Sequence, residues 1–225
     1  MPTLSAYNLG QIWVDYIAPG LVDRTHRTTL EPKFQLVAQD DPQDRVYLVH
    51  SGKIKLTRIS SVSRDTLLDI LGPGDVFGAN ALTHGRPAQW FCAATTVEPV
   101  EISWVLLSDV RTYLSTRPEA ELTLMRALAG KSIELYQDAV LMRDVDVPGR
   151  IAAALVYMQR RFGQTTVHGT QLPRGLTQGE IAAMAGASRE TVNKVLSDFV
   201  DRGWIMQQRR MLVILDPARL AARAQ

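Results

Sequence analysis

Four charged or amide side chains lie close together in the segment GASRETVNKVLSDFVDRGWI, residues 186–205. They are Arg189, Glu190, Asn193 and Lys194, and their spacing places them near the start of one short amphipathic helix. A solvated helix face and ordinary capping chemistry are two possible explanations. The third is base recognition, because Arg binds guanine O6 and N7, Glu accepts from the cytosine amino group, and Lys donates to guanine or phosphate.

The residues before this helix favour recognition. Thr177-Gln178-Gly179-Glu180 is typical of a capping box, in which the threonine caps a helix and the glutamate bonds back to its amide. Gly186 then suits a left-handed turn, and Ser188 suits the cap of the second helix. This order predicts a helix-turn-helix, whose second helix enters the major groove of DNA. Further polar side chains are expected to position the DNA backbone: Ser188, Thr191, Thr177 and Gln178.

A second basic group follows the helix. The segment WIMQQRRMLVILD predicts two strands around Gln208-Arg209-Arg210, a β-wing whose arginines are expected to contact phosphate. Residues 147–225 hold 11 Lys and Arg against 5 Asp and Glu, a net charge of +6, whereas residues 1–146 hold 14 against 18, a net charge of −4. A basic C-terminal third fits a DNA-binding module on a regulatory domain; a tail that only aids solubility would carry the same charge.

The segments that precede these residues, and must position them, have the sequence patterns of an α+β fold. Residues 33–105 contain short strands and glycine-rich turns, which predict an antiparallel β-roll, with a hairpin turn at Gly52. Residues 118–144 predict one long helix with two apolar rows. One row is expected to pack on the roll and the other on a second copy of the helix, in a homodimer; a helix buried within one subunit is the alternative. The dimer row is Leu122, Met125, Ala129, Ile133, Tyr136 and Val140.

The change from strands to helices predicts the domain boundaries. We expect an N-terminal segment and β-roll over 1–117, a dimerisation helix and hinge over 118–146, and a winged helix-turn-helix over 147–225. The hinge is predicted from the Pro-Gly pair in DVDVPGR, 144–150. Neither a signal peptide nor an apolar run near the ~20 residues of a membrane span occurs, so we expect a cytoplasmic protein.

Three segments resemble the CRP/FNR (cyclic-AMP receptor/FNR) family of bacterial transcription regulators: GPGDVFG, DVPGRIAAALVYM and LTQGEIAAMAGASRETVNKVL. The likeness runs from about Phe34 to the C-terminus, in the family's order of β-roll, dimer helix, hinge and winged helix-turn-helix. It implies a homodimer that binds a palindromic operator in double-stranded DNA and works with RNA polymerase. It also implies that Arg189, Glu190 and Lys194 read TGTGA-type half-sites. Lys194 stands where some members have arginine, so softer discrimination at that base is expected.

The resemblance breaks at the family's cyclic-nucleotide pocket. Nucleotide-binding members use a glutamate for the ribose and an arginine for the cyclic phosphate, whereas this chain has Ala79 and Ala88. We therefore expect DNA binding without cyclic nucleotide; the alternative is a non-standard pocket in which Arg86 holds a nucleotide or another small ligand. The residues of this vestigial effector pocket are Gly78, Ala79, Leu82, Arg86, Pro87, Ala88, Gln89, Leu135 and Tyr136.

Other classes of function have less support in the sequence. The histidines at positions 26, 50, 84 and 168 are scattered and offer no nucleophile–base pair or metal cluster, so we expect neither an enzyme nor a metal or cofactor. Cys92 is the single cysteine, which excludes an intrachain disulfide and a cysteine-held iron–sulfur cluster. Haem would need His50, His84 or Cys92 as ligand, and a lone histidine in a strand or turn is more often structural, so haem is not expected. A ligand-binding or scaffold protein would explain the roll but not the outward Arg-Glu-x-x-x-Lys helix.

Overall fold

The chain of this computed structural model forms two compact units, Met1–Gln137 and Asp138–Gln225. No helix in the described part of the chain is long and apolar enough to cross a membrane. The described residues are 9–59, 65–83, 88–173, 176–208 and 211–225. The residues described by backbone alone are 65, 134, 135 and 137–144.

The described part of the N-terminal unit is built mainly from short antiparallel strands, as its alternating sequence predicts. Two four-stranded sheets have the orders β1-β10-β4-β7 and β2-β9-β5-β6, and β3 pairs with β8. The strands are β1 His26–Leu30, β2 Gln35–Val37, β3 Pro42–Gln43, β4 Arg45–Ser51, β5 Ile54–Ile59, β6 Asp65–Leu71, β7 Val76–Phe77, β8 Ala88–Gln89, β9 Ala93–Thr96 and β10 Val100–Leu106. The α+β fold with an antiparallel β-roll is confirmed.

Alternation along β4 sends its side chains to two separate apolar clusters. Tyr47 and Val49 pack with Ile54 of the other sheet, inside the roll. Val46 and Leu48 pack on the opposite face, against the helices of this unit. The roll therefore has one core between its sheets and a second core beneath the helices.

The hairpin predicted at Gly52 is wrong. β4 and β5 flank Gly52, but β4 pairs with β10 and β7, whereas β5 pairs with β6 and β9. The chain thus crosses from one sheet to the other at this turn. Gly52 has φ +80°, and a Cβ there would lie 2.3 Å from the carbonyl oxygen of Pro99, so the crossing requires a glycine.

In the described part of the chain, three α-helices belong to the N-terminal unit or begin in it. A π-helical turn, Trp13–Ile17, follows the first helix and buries Trp13 and Ile17 against the roll. The long helix begins at Pro118, as predicted, and ends at Asp144. The helices are α1 Leu9–Ile12, α2 Leu107–Ser115 and α3 Pro118–Asp144.

The two faces predicted for α3 are observed along the part of the helix whose side chains are described, as far as Tyr136. Leu124 and Ala127 are almost fully buried, and Leu124 packs in the cluster beneath the helices. Met125 is 46% exposed and Tyr136 is 74% exposed, so in the single chain these apolar side chains face solvent. Leu122, Ala129 and Ile133 of the predicted dimer row are exposed as well. The side chains of Val140 and Leu135 lie outside the described residues.

The hinge is shorter than the 144–150 segment that predicts it. α4 spans Val147–Phe162, so Pro148 and Gly149 belong to its first turn, and only Val145 and Asp146 separate it from α3. Proline is well placed at the start of a helix, because its missing N–H has no intrahelical partner there. The Pro-Gly pair therefore begins a helix instead of interrupting one.

The C-terminal unit combines helices with a small antiparallel sheet of order β11-β12-β14-β13. β13 and β14 are the two strands predicted for the wing, and they pair from Ile205↔Ile214 to Gln208↔Met211. Its remaining elements are β11 Gln164–Thr166, β12 Gly169–Gln171, α5 Gln178–Ala185, α6 Arg189–Asp201, β13 Ile205–Gln208, β14 Met211–Ile214 and α7 Pro217–Arg223.

Candidate DNA-binding site

The N-terminus of α5 is closed by the predicted capping box. The Thr177 hydroxyl accepts from the backbone N–H of Glu180 at 3.1 Å, and the Glu180 carboxylate accepts from the backbone N–H of Thr177 at 2.8 Å. These reciprocal bonds satisfy two amides that the helix itself leaves without partners. The start of the first helix of the motif is therefore defined by its local sequence.

The turn between α5 and α6 has the predicted geometry. Gly186 has φ +59° and ψ +44°, the left-handed conformation, and its N–H bonds to the carbonyl of Ala182. Ser188 then caps α6, because its hydroxyl accepts from the N–H of Thr191 at 3.1 Å. The hydroxyls of Ser188 and Thr191 lie 3.0 Å apart. Both hydroxyls are thus already engaged in ordering the start of α6.

The two sides of α6 differ in burial, as predicted. Four of its apolar side chains lie in the core of the helix-turn-helix and are at least nine-tenths buried: Val192, Val195, Leu196 and Phe199. Arg189, Glu190, Asn193 and Lys194 are all exposed on the other side. The structure therefore brings the four candidate base readers together in the first two turns of one capped helix.

Glu190 carries a negative charge at this surface. Its own backbone N–H and the Ser188 side chain lower its pKa, with a further contribution from the Arg189 charge. An ionised carboxylate can only accept hydrogen bonds, which suits the amino group of cytosine. The pairing of an acceptor with neighbouring donors fits a base-pair edge better than a phosphate, which would repel the carboxylate.

Two contacts join the start of α5 to α6. Gln178 donates from its side-chain amide to Oδ1 of Asn193 at 3.2 Å. A Cβ on Gly179 would lie 3.8 Å from Cδ and Nε of Arg189, so the Arg189 side chain passes close to this glycine. Sequence reasoning names Gln178 and Asn193 as candidates but not their contact.

Arg150 is a residue of the motif that sequence reasoning missed. It lies in the first turn of α4, yet its Nε donates to the carbonyl of Ala185 at 2.8 Å and its Nη1 donates to the carbonyl of Val145 at 3.1 Å. The guanidinium therefore ties the end of α5 to the linker before α4. No local pattern signals a bond between residues 35 positions apart.

The two strands of the predicted wing are present. Arg209 and Arg210 lie outside the described residues, so their expected phosphate contacts stay a prediction. Gln207 and Gln208, which precede them in β13, are exposed.

The described residues of the vestigial effector pocket are mostly small or apolar. Ala79 is 1% exposed and Leu82 and Ala88 are partly buried, all in the cluster beneath the helices. Gly78 has φ +91°, and a Cβ there would lie 2.6 Å from the carbonyl oxygen of Arg45. Gln89 is exposed in β8. Arg86 and Pro87 lie outside the described residues, as does the Leu135 side chain.

The alanine side chains at 79 and 88 carry no polar group, and a charged group close to this turn is Arg111 of α2, whose Nη2 donates to the carbonyl of Ala81 at 2.9 Å. The buried amide nearest to this turn belongs to Gln43, which donates to the carbonyl of Gly78 at 2.8 Å and to Oδ1 of Asn80 at 3.1 Å. Among the described residues, no three His, Cys, Asp or Glu side chains are grouped to hold a metal. His50 bonds through Nε2 with the Ser103 hydroxyl at 2.9 Å, which is a structural role.

Comparison with known proteins agrees with this arrangement. Residues 27–117 match the family model of the cyclic nucleotide-binding domain, and residues 149–223 match that of the Crp-like helix-turn-helix domain. The chain is 38% identical to a CRP-like cAMP-activated global transcriptional regulator of Mycobacterium tuberculosis, over 84% of this chain and 83% of the relative. The chain belongs to the CRP/FNR family of transcription regulators.

Other proteins are similar to this chain at lower identity. A global nitrogen regulator of Nostoc sp. is 24% identical over 86% of each chain. FixK2 from Bradyrhizobium japonicum has a related fold, with a TM-score of 0.76, 20% identity, and coverage of 89% of this chain and 98% of that chain. The same fold is thus present over most of the chain.

Proposed function

We propose that the protein is a homodimeric, sequence-specific transcription regulator that binds a TGTGA-like inverted repeat without cyclic nucleotide. The observation that carries this proposal is the exposed side of α6, where Arg189, Glu190, Asn193 and Lys194 project from a helix whose other side is buried. A helix capped at Ser188 presents these groups at its first turns, which are the turns that enter the major groove.

Each side chain has a distinct partner in this proposal. Arg189 binds a guanine through O6 and N7, and Glu190 accepts from a cytosine amino group. Lys194 donates to guanine or phosphate, with softer discrimination than an arginine because it lacks the planar fork. Thr177, Ser188 and Thr191 order the helix starts beside the backbone, and Arg209 and Arg210 of the wing contact phosphate.

The exposed apolar row of α3 supports a dimer. Leu122, Met125, Ile133 and Tyr136 leave large apolar surfaces in solvent in the single chain, and a second copy of the helix covers them. A twofold dimer matches a palindromic operator whose half-site centres lie about one helical turn, ~10 bp, apart. RNA polymerase is then the partner through which the bound dimer acts on transcription, in the cytoplasm.

Nucleotide independence rests on the composition of the effector pocket. The relative from Mycobacterium tuberculosis is named as cAMP-activated, but this chain places Ala79 and Ala88 where a ribose acceptor and a phosphate cation are needed. A ligand shifts a conformational equilibrium only through differential affinity, which requires such contacts. The second candidate is a regulator activated by a nucleotide or another small ligand held by Arg86.

A binding titration with a matched variant tests the proposed function. The purified protein is titrated with a TGTGA-type inverted repeat and with a scrambled duplex of the same length and composition. Arg189→Ala should lower the affinity for the repeat by about 1–3 kcal/mol and relax the preference at one guanine. Arg189→Lys, which keeps the charge but loses bidentate binding, should show the same relaxation with a smaller loss. Equal losses on both duplexes would reject α6 as the reading helix.

A further inference from the structure

We propose that Arg223, at the end of α7, is a positioning residue that fixes the linker of Val145 and Asp146. This linker joins the dimerisation helix α3 to the C-terminal DNA-binding part, whose helix-turn-helix α5–α6 is called the reading head below. Through this linker the C-terminal helix sets which half-site spacing the dimer accepts. The inference rests on the proposed function, because it concerns the placement of two DNA-binding units. Arg223 itself is not expected to touch a base.

The contact that carries this inference is an ion pair across 77 residues of chain. Nη2 of Arg223 donates to Oδ1 of Asp146 at 2.7 Å and to Oδ2 at 2.6 Å. The hydrogen bond from Arg223 is the largest of the effects that lower the pKa of Asp146. Exposed ion pairs add little to stability on average, so the position of this pair matters more than its strength.

Asp146 is one of the two residues of the linker and also begins the next helix. Its Oδ1 accepts from the backbone N–H of Gly149 at 3.0 Å, which makes Asp146 the N-cap of α4. The same carboxylate thus binds the first turn of α4 and the last turn of α7. α7 itself packs on α4, with Leu220 fully buried.

The junction is packed too closely for a side chain at 149. A Cβ on Gly149 would lie 2.2 Å from Cγ1 of Val145, 2.9 Å from the carbonyl oxygen of Arg223 and 3.0 Å from its Nη1. The linker and the C-terminal helix therefore meet directly over this glycine. Such contact leaves the linker little freedom to pivot while α7 is docked.

The linker is held from its other side by the helix-turn-helix. Arg150 donates to the carbonyl of Val145 and, through Nε, to the carbonyl of Ala185 at the end of α5. Each linker residue therefore accepts hydrogen bonds from an arginine: Val145 from Arg150 of α4, and Asp146 from Arg223 of α7. Because these two residues connect α3 to α4, their conformation sets the direction in which the reading head leaves the dimerisation helix.

This role predicts a specific defect. A looser linker leaves each helix-turn-helix intact, so binding to a single half-site is unchanged. The second half-site is then bound at a lower effective concentration, because the second head is no longer held in place. Affinity for the full operator falls, and the preference for one half-site spacing becomes flatter.

The test compares Arg223→Gln and Asp146→Asn with the wild-type protein. Asparagine keeps the oxygen that caps α4 but removes the charge, so it separates the ion pair from the cap. Arg219→Gln is the matched control, because Arg219 is an exposed residue of the same helix whose Nε lies 4.0 Å from Oδ2 of Asp216. Affinities are measured for an isolated half-site and for operators whose half-site spacing is changed by one or two base pairs.

We expect both variants to bind the full operator with about tenfold lower affinity than the wild type and to keep half-site affinity within about twofold. Their affinities for operators of different half-site spacing should differ less than those of the wild type. The double variant should lose no more operator affinity than either single variant. Arg223→Lys, which keeps the charge, should lose less operator affinity than Arg223→Gln. Equal weakening of half-site and operator binding, or no change in either, overturns the inference. Wild-type protein that does not prefer operator over scrambled DNA rejects the proposed function instead.

Discussion

The side-chain amide nitrogen of Gln178 lies 3.2 Å from Oδ1 of Asn193, so the first turn of α5 is bonded to the exposed side of α6. This bond occupies an acceptor lone pair of Asn193 and directs its amino group away from α5. An asparagine that reads adenine uses both its oxygen and its nitrogen, on N6 and N7. The second lone pair of Oδ1 stays free, but the bond fixes the orientation of the amide, so Asn193 is expected to donate to guanine or to thymine O4 instead of binding adenine through both atoms.

Gln178→Ala should therefore shift the base preference opposite Asn193 toward adenine. The freed amide can then make the bidentate contact, worth about 1–3 kcal/mol of discrimination. The measurement is the affinity for operators that carry each of the four base pairs at every half-site position. Asn193→Ala is the control and should remove the preference at the same position. An unchanged base profile in Gln178→Ala would show that the bond does not restrict Asn193.

Met125→Lys should weaken the dimer while the subunit stays folded. The side chain is 46% exposed in the single chain, so a lysine can be solvated there, but burying its charge against a second helix is costly. Light scattering should show the wild type at twice the 25.0 kDa chain mass and the variant nearer one chain at micromolar concentration. Met125→Leu keeps an apolar surface and should remain dimeric. A Met125→Lys protein that is as dimeric as wild type would place the interface elsewhere.

Cyclic AMP and cyclic GMP should not change operator affinity. Ala79 and Ala88 offer no acceptor for a ribose hydroxyl and no cation for a cyclic phosphate. Operator titrations with and without millimolar nucleotide, together with calorimetry of the free protein, measure this directly. A tenfold gain in affinity, or measurable heat of nucleotide binding, would favour the second candidate function. Arg86→Ala would then be expected to abolish that response.

Gly186→Val should destabilise the C-terminal unit through the backbone alone. No atom lies within 4 Å of a Cβ at this position, but φ is +59°, and the left-handed conformation costs a non-glycine residue about 1–2 kcal/mol. Urea unfolding gives the free energy of unfolding for each variant. Gly186→Asn is the matched control. Its free energy of unfolding should fall less than that of Gly186→Val, because asparagine tolerates the left-handed conformation. Equal losses in both variants would point to a steric cause.

Lowering the pH should reduce the stability of the β-roll through His50. Burial lowers the pKa of His50 below its ordinary value of 6.5; the Arg27 charge lowers it further and Glu101 opposes it. The folded protein therefore keeps the ring neutral, and this contribution is complete above pH 6.5 and lost as pH falls toward the lowered folded pKa. Urea unfolding between about pH 7.5 and about pH 5 measures the slope. His50→Gln should be less pH-dependent, and an unchanged slope would contradict the assignment.

The helix-turn-helix could be predicted closely because its signals are local. Thr177 and Glu180 are three residues apart, as are Ser188 and Thr191, and Gly186 stands where a left-handed turn is needed. Each bond forms within one helical turn, so the residue types alone indicate it. The division of α3 into a buried and an exposed face follows from its periodicity in the same way.

Contacts between distant segments could not be predicted. Turn chemistry at Gly52 indicates that the chain reverses, but not that β4 and β5 join different sheets. The bonds of Arg150 to Ala185 and of Arg223 to Asp146 connect residues that no sequence pattern pairs. Pro148 is ambiguous for a different reason, because proline is suited both to a break and to the first turn of a helix.

The position of β10 between β1 and β4 governs the order in which the roll can assemble. His26 of β1 pairs with Trp104, and Arg45 of β4 pairs with Leu106, so the pairing of both strands with β10 must wait until about 60 to 80 further residues have been synthesised. The other edge of β4 pairs earlier, with β7. During translation, β1 and the edge of β4 that later pairs with β10 remain open and can pair with other chains. Nascent chains that end before Leu106 should therefore be the form of this protein most prone to aggregate and most in need of a chaperone.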